Sequence, residues 1–436
     1  MATVISRSIT CIKPASPTPE SFKRYNLPLH DRLMPTMFIP AIFFYPSINN
    51  SADRKSTISD LLKNSLSETL SRYYLFAGRL RSSGSYVDCN DEGVQFVEAQ
   101  IGSKLSCFLE RAPAKEDEEG LGNLFPPRSI WDTLSDDKDS SLMRIQLNNF
   151  TCGGIALAVS LSHHMGDALT LFSFITYWAS LSRHSCDHQK LVHICPHFVY
   201  DLLPQSHVDD FVTANVSFPK KHWITKEMVF HNSSIEKLKA NVEFEDKLQG
   251  EVEQNYTRNE LLTALLYRCA VAAAAKSNSG VYKKSFLCQA VNMRPMLDPP
   301  LPLTSLGNFI SFNPVPTSTE NETELNLLVK RLRKGKMQLR GSKGMDEHIA
   351  GPILEKYVKS NHVYYGFTSF CNFPVYEMDF GWGRPVRATV VDMPVVNSII
   401  MMDTLSGDGI KAIVGLEEKE MEIFETDKEL LTYGSF

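Results

Sequence analysis

From about residue 184 to 222 the chain loses every hydrophobic period, reading HSCDHQKLVHICPHFVYDLLPQSHVDDFVTANVSFPKK. Patterned segments lie on both sides. A stretch this long without period is out of place inside one compact domain, so it reads as a crossover between two. At 436 residues the chain can bury a separate core on each side. The expected division is residues 1–200 and residues 201–436, with the crossover loop over 184–222.

Helical and strand signals alternate within both halves. In the first, SDLLKNSLSETLSRYY reads as a helix with Ser59 as N-cap and Leu62, Leu66, Leu70 and Tyr73 on one face. SGSYVDCNDEGVQFVEA reads as a hairpin broken at Asn90–Gly93, and GGIALAVSLS as a buried strand. ALTLFSFITYWASLSR reads as an apolar helix that Asp167 caps. In the second half NELLTALLYRCAVAAAAK and TELNLLVKRLRKGK read as helices. SFLCQAVNM, RATVVDM, SIIMMD and GIKAIVGL read as strands. The fold class expected is α/β, in two mixed domains.

Composition narrows the partners. Hydrophobic residues make up 43% and charged residues 22%, as in an ordinary globular protein. A net charge of -5 offers no general attraction to nucleic acid or anionic membranes. No stretch approaches the roughly 18 apolar residues of a membrane span, and the opening MATVISRSITCIKPASPTPE lacks the apolar core of a signal peptide. The nine cysteines are scattered and never spaced CxxC, which suits reduced thiols. A cytoplasmic, monomeric protein without nucleic-acid or membrane partners is the expectation.

LSHHMGDALT, residues 161–170, concentrates reactive groups where a buried strand gives way to a helix. A zinc helix of the HExxH kind needs a glutamate and a different spacing, and a GxSxG nucleophile elbow is absent from the chain. Two readings of the histidine remain open locally: a general base projected into a cleft, or a satisfied core residue. The linker's His184, Cys186, His188, His193, Cys195 and His197 match no familiar zinc framework, so no metal is expected. The basic run Lys330 to Arg340 reads as the solvated face of an amphipathic helix. YEMDFGWGRPVRA reads as a fixed turn, two glycines flanking Trp382.

The pair His163-x-x-x-Asp167 and DFGWG, in that order about 215 residues apart, resembles the BAHD acyl-CoA-dependent acyltransferases. LKNSLSETLSRYYLFAGRL, VDCNDEGVQFVEA, CGGIALAVSLSHHMGDA, QAVNMRPMLDPPLP with LGN, and MMDTLSGDGIKA extend the likeness across the chain. IKPASPTPESFKRYNL and NMRPMLDPPLP are most similar to the branch that O-acetylates alkaloids.

The resemblance implies two chloramphenicol-acetyltransferase-like domains enclosing a channel. Acyl-CoA and a small-molecule alcohol would enter it from opposite faces. It implies that His163, not His164, takes the acceptor's proton as the oxygen attacks the thioester, in a ternary complex without an acyl-enzyme. Asp167 would be structural, paired with Arg294. Asp379 would hold the DFGWG turn, with Gly381, Trp382 and Gly383 beside the CoA site, and Thr257 would lie near the pantetheine arm. The co-substrate implied is acetyl-CoA, with malonyl-CoA as the alternative.

Two departures bear on specificity. Where relatives that handle acidic acceptors carry an arginine, this chain has Asn372 of SFCN, and the YFGNC of pigment acyltransferases appears only as SLGNF. Lys411 stands where alkaloid acetyltransferases usually carry glutamate. It is either a solvent-facing strand lysine or a group that selects a malonyl donor. A repurposed non-acylating enzyme or binding protein is the competing reading, because fold does not fix function. A condensation domain is disfavoured, since its base is the second histidine of HHxxxDG and only His163 has the required spacing here.

Overall fold

The computed structural model describes residues 3–34, 37–47, 52–81, 85–110, 121–126, 141–187, 196–199, 223–248, 250, 255–345, 356–357, 359–390 and 396–436. The strands of the first half are β1 (Val4–Ile12), β2 (Arg24–Asn26), β3 (Phe38–Tyr45), β4 (Arg79–Arg81), β5 (Tyr86–Asp88), β6 (Val94–Ile101), β7 (Met143–Phe150) and β8 (Ile155–Ser162). Those that follow are β9 (Trp223–His231), β10 (Ser285–Asn292), β11 (Ile310–Thr317), β12 (Val363–Ser369), β13 (Arg387–Thr389), β14 (Ser398–Asp403) and β15 (Gly409–Glu417). The helices are α1 (Leu29–Arg32), α2 (Ala52–Arg72), α3 (Leu105–Leu109), α4 (Ala168–Asp187), α5 (Asn232–Leu248), α6 (Arg258–Ser277), α7 (Leu325–Gln338), α8 (Glu418–Phe424) and α9 (Lys428–Tyr433).

They divide into two compact units, each built on a mixed sheet. The first unit comprises Met1–Asp210, Leu301–Phe309 and Phe373–Val391; the second comprises Phe211–Pro300, Ile310–Asn372 and Asp392–Phe436. Two short segments from late in the chain therefore join the first unit.

In the first unit the sheet order is β1-β6-β7-β8-β3-β13, with β6 and β7 parallel and the other pairs antiparallel. Strand β8 is buried along its whole length, so it reads as a continuous small and apolar run instead of alternating. Pro40 is accommodated in β3 because the pairing with β13 covers only Ile42 to Phe44. Leu62, Leu66, Leu70 and Tyr73 are all fully buried, as the helical period predicts. Against this face lies α4, whose Trp178 donates its indole N–H to the Leu62 carbonyl at 3.2 Å.

In the second unit the order is β11-β10-β12-β14-β15-β9, with β10, β12 and β14 parallel. Strand β11 carries Pro314 and Pro316 and lies at the sheet's edge, the place where missing donors cost least. Helices α5, α6 and α7 cover one face through Leu238, Leu265 and Leu332, all fully buried.

Three local expectations change. Ser59 is not an N-cap, because α2 begins at Ala52; its hydroxyl instead donates to Glu98 at 2.5 Å. The hairpin read over 83–99 does not form: β5 pairs with β2 and β4, while β6 pairs with β1 and β7. Asp91, at φ 57°, breaks the path and ties its carboxylate to Thr18 and Lys23. Nor is the basic run simply solvated. Lys330 pairs at 2.8 Å with Asp246, which is buried, and Arg333 lies over the Tyr256 ring.

Candidate active site

His163 follows directly on β8, in a single 3-10 turn spanning His163–Met165. Strand β8 delivers it: Ser162 pairs with Phe38 of β3, and the His163 N–H continues the ladder to the Met37 carbonyl at 2.8 Å. Gly166 then takes φ 153° and ψ 173°, a conformation open essentially to glycine alone. A methyl group there would come within 2.6 Å of the Thr170 side chain. Glycine thus lets the chain turn sharply from histidine to helix.

Asp167 opens α4. One carboxylate oxygen accepts the Thr170 N–H at 3.0 Å and the other accepts the Phe309 N–H at 3.1 Å. The helix cap read from the sequence is present. The second bond ties the loop to Leu301–Phe309, as do contacts between the Thr170 hydroxyl and Gly307 at 3.1 and 3.2 Å.

His163 is partly exposed, while its Nδ1 is sealed from solvent. Burial lowers its pKa below the ordinary 6.5, against opposing contributions from its own backbone, Asp167 and Asn308. His164 is buried, and desolvation together with the neighbouring His163 pushes it down to about 4. A neutral imidazole can accept a proton, and of the two residues His163 is the partly exposed one while His164 is buried.

Two residues join this site that the sequence reading did not single out. Asn308 donates its side-chain N–H to the His163 carbonyl at 2.7 Å and to Asp31 at 2.8 Å, and its backbone N–H also reaches Asp31, at 2.7 Å. Asp31 comes from α1 and is buried. The LGN block contained Asn308, but nothing in its composition marked the contact.

The DFGWG turn lies in the first unit. One oxygen of Asp379 accepts both the Gly381 and the Gly383 N–H at 2.9 Å, and both glycines have positive φ. The fixed turn read from the two glycines is thus present. Trp382 stacks on Phe380, whose carbonyl accepts the Ser182 hydroxyl of α4 at 2.7 Å. Tyr45 of β3 donates to the Met378 carbonyl at 2.7 Å. The turn is bolted to two elements of its own unit.

The remaining site expectations fall in the second unit. Arg294 is fully buried, with Nη1 donating to Asn292 at 3.3 Å. Thr257 is the N-cap of α6 in a capping box with Glu260. Lys411 is buried and ion-paired with Glu227 at 3.3 Å, so it is not a solvent-facing lysine. Asn372, at φ 66°, donates its backbone N–H to Asp403 at 2.6 Å. Of the linker histidines and cysteines, His188, His193 and Cys195 lie outside the described residues, as does the Cys186 side chain; His197 bonds to Ser305 at 2.8 Å. Among the described residues no group of three His, Cys, Asp or Glu is placed to hold a metal, and no helix is long and apolar enough to cross a membrane.

Comparison with known proteins carries the geometry to a family. The model of the transferase family matches residues 2–431. Akuammiline synthase 1 of Alstonia scholaris is 38% identical, the match covering 100% of this chain and 99% of that protein. The 17,18-epoxy-17-hydroxycur-19-ene N-malonyltransferase of Strychnos nux-vomica is 36% identical, over 98% and 90%. The crystal structure of vinorine synthase matches with a TM-score of 0.78 at 29% identity, over 99% and 98%. The chain belongs to this family, the BAHD transferases, and is an acyl-CoA-dependent acyltransferase.

Proposed function

We propose that the enzyme transfers acetyl from acetyl-CoA to a hydroxyl of an alkaloid or similar specialised metabolite, with His163 as general base. The carrying observation is the state of that residue at the end of β8: its imidazole kept neutral by burial, its Nδ1 enclosed, and the residue partly exposed where His164 is buried. The acceptor's O–H proton passes to Nε2 as its oxygen attacks the thioester carbonyl. Collapse of the tetrahedral adduct breaks the C–S bond, and the CoA thiolate recovers the proton from His163. No acyl-enzyme is needed, because a thioester is already activated.

Asp167 and Asp379 act in this reading as braces, their oxygens committed to backbone N–H groups. For Gly381, Trp382, Gly383 and Thr257, placement near CoA rests on the family likeness. Acetyl is favoured as donor because the Lys411 ammonium already has Glu227 beside it. The Strychnos relative's malonyl donor supports malonyl-CoA as the second reading. A monomer in the cytoplasm completes the proposal.

The test is incubation with labelled acetyl-CoA or malonyl-CoA and a panel of indole and isoquinoline alkaloid alcohols. A product heavier by one acetyl group, with an equivalent of free CoA, is expected. His163→Ala should lower turnover by about 10³-fold or more while leaving the circular dichroism unchanged. Near wild-type turnover in that variant overturns the assignment of the base.

A further inference from the structure

The second unit holds a cavity that the proposed reaction does not use. Arg294 follows β10 and Asn372 follows β12, so both stand beyond the carboxyl ends of parallel strands, where open α/β sheets commonly bind ligands. The cavity lies at the other end. Its wall takes in Ser285, the first residue of β10, Val363, the first of β12, and Asn397, just before β14. Ser285 is seven residues from Asn292 at the far end of β10, about 23 Å at the rise of a strand.

The cavity has a volume of about 60 Å³, several times the least that holds a water. Val271 and Ala274 of α6, together with Val363, make one side apolar. Glu417, at the end of β15, and Glu420 of α8 bring two carboxylates, against the single ammonium of Lys283, which is exposed. The lining therefore carries a net negative charge. Tyr365 is also in the wall. Burial first, then the Glu420 charge, hold its phenol well above the ordinary range, so it stays neutral.

Asn397 supplies the deciding feature. It is 6% exposed, and its Oδ1 is buried with no hydrogen-bond partner. Its Nδ2 donates to the Tyr364 carbonyl at 3.3 Å, so the flipped amide would set oxygen against oxygen. The main chain is fixed as well. Its N–H donates to the Gly415 carbonyl, and its carbonyl accepts the Gly366 N–H, both at 2.9 Å. A buried acceptor without a donor is costly, and a ligand bearing N–H groups would satisfy it.

We infer that this cavity binds a small primary ammonium ion, its N–H groups meeting Asn397 Oδ1 and the carboxylates of Glu417 and Glu420, its short alkyl chain against Val271, Ala274 and Val363. An ammonium has three donors and no acceptor, which this set of acceptors matches. A divalent metal would need more anionic ligands, and among the described residues no group of three His, Cys, Asp or Glu is placed to hold one. An inorganic monovalent ion would leave the apolar side without contact. The inference stands independently of His163 and of the acyl donor and acceptor.

Methylammonium chloride should raise the thermal unfolding midpoint of the enzyme above that in sodium chloride of equal concentration, because a ligand of the folded state stabilises it by mass action. Tetramethylammonium carries the charge without N–H groups and should do no more than sodium. Two variants locate the effect. Glu420→Gln keeps the shape and removes a charge; Asn397→Gly removes Oδ1 and suits the φ of 64°. Each should weaken methylammonium binding, read by calorimetry, at least about 10-fold. Acyl-transfer kcat and KM should stay within about twofold in both, since neither residue is part of the catalytic machinery.

A methylammonium response no greater than that of sodium means the cavity holds water only, and overturns the inference. An equal effect of tetramethylammonium overturns it too, as does unweakened binding in the variants, which would place the ion elsewhere. Should Asn397→Gly fail to fold, Glu420→Gln decides alone.

Discussion

The Asp167 carboxylate reaches the Phe309 N–H at 3.1 Å while its other oxygen caps α4 at Thr170, at 3.0 Å. Two N–H groups 139 residues apart in the chain thus depend on two oxygens of one side chain. An asparagine has only one acceptor oxygen, so Asp167→Asn must leave one of these buried donors facing an amide NH₂. The expected loss is about 1–3 kcal/mol of stability, read as a lower urea midpoint with an unchanged m-value.

Asp379 should behave in the opposite way. It uses a single oxygen for both Gly381 and Gly383, and an asparagine oxygen can take its place. Asp379→Asn should change stability by less than about 1 kcal/mol, whereas Asp379→Ala should lose about 2 kcal/mol with its two bonds. Thermal unfolding of the two variants side by side checks the contrast.

The two adjacent histidines predict a pH dependence. His163 and His164 both have pKa values depressed by burial, His164 to about 4. In the unfolded chain each titrates near 6.5, so below that pH the unfolded state binds protons first. The stability contributed by the neutral rings is fully present above pH 6.5 and is lost as pH falls toward about 4. For His164 the shift corresponds to about 3 kcal/mol. Urea unfolding from pH 7 to 4.5 should show a flatter loss in His164→Gln than in wild type. The acid limb of kcat should fall below pH 6.5, since His163 stays neutral there.

Lys411 and Glu227 are paired across neighbouring strands of the second sheet. Lys411→Glu would set two carboxylates together in a buried place and should destabilise the fold by about 3 kcal/mol or more. The ratio of acetyl-CoA to malonyl-CoA turnover should stay unchanged, because the ammonium serves Glu227. A shift of that ratio toward acetyl in the variant would make Lys411 a donor-selecting residue.

Much of the architecture was legible because it rests on short-range period. The buried face of α2, the wholly buried β8 and the amphipathic α7 follow from apolar spacing alone. The apparent hairpin over 83–99 shows the limit. Both arms do form strands, but Asp91 turns the chain and long-range pairing sends them to different sheets. Ser59 illustrates the same point: a good cap residue was inside a helix that began earlier, bonded to Glu98 39 residues away.

The site divides along the same line. His163, Gly166 and Asp167 stand within five residues, so their order encodes strand end, sharp turn and helix cap, and the sequence alone determined that much. With DFGWG it also determined the family. Only the tertiary structure decided that Asn308 holds the His163 carbonyl, that Asp31 sets Asn308 from 277 residues away, and that Lys411 is occupied by Glu227. One Asn or Asp resembles any other in a linear chain. A hydrogen bond spans about 3 Å in space at any separation in sequence, and only the folded path brings its two ends together.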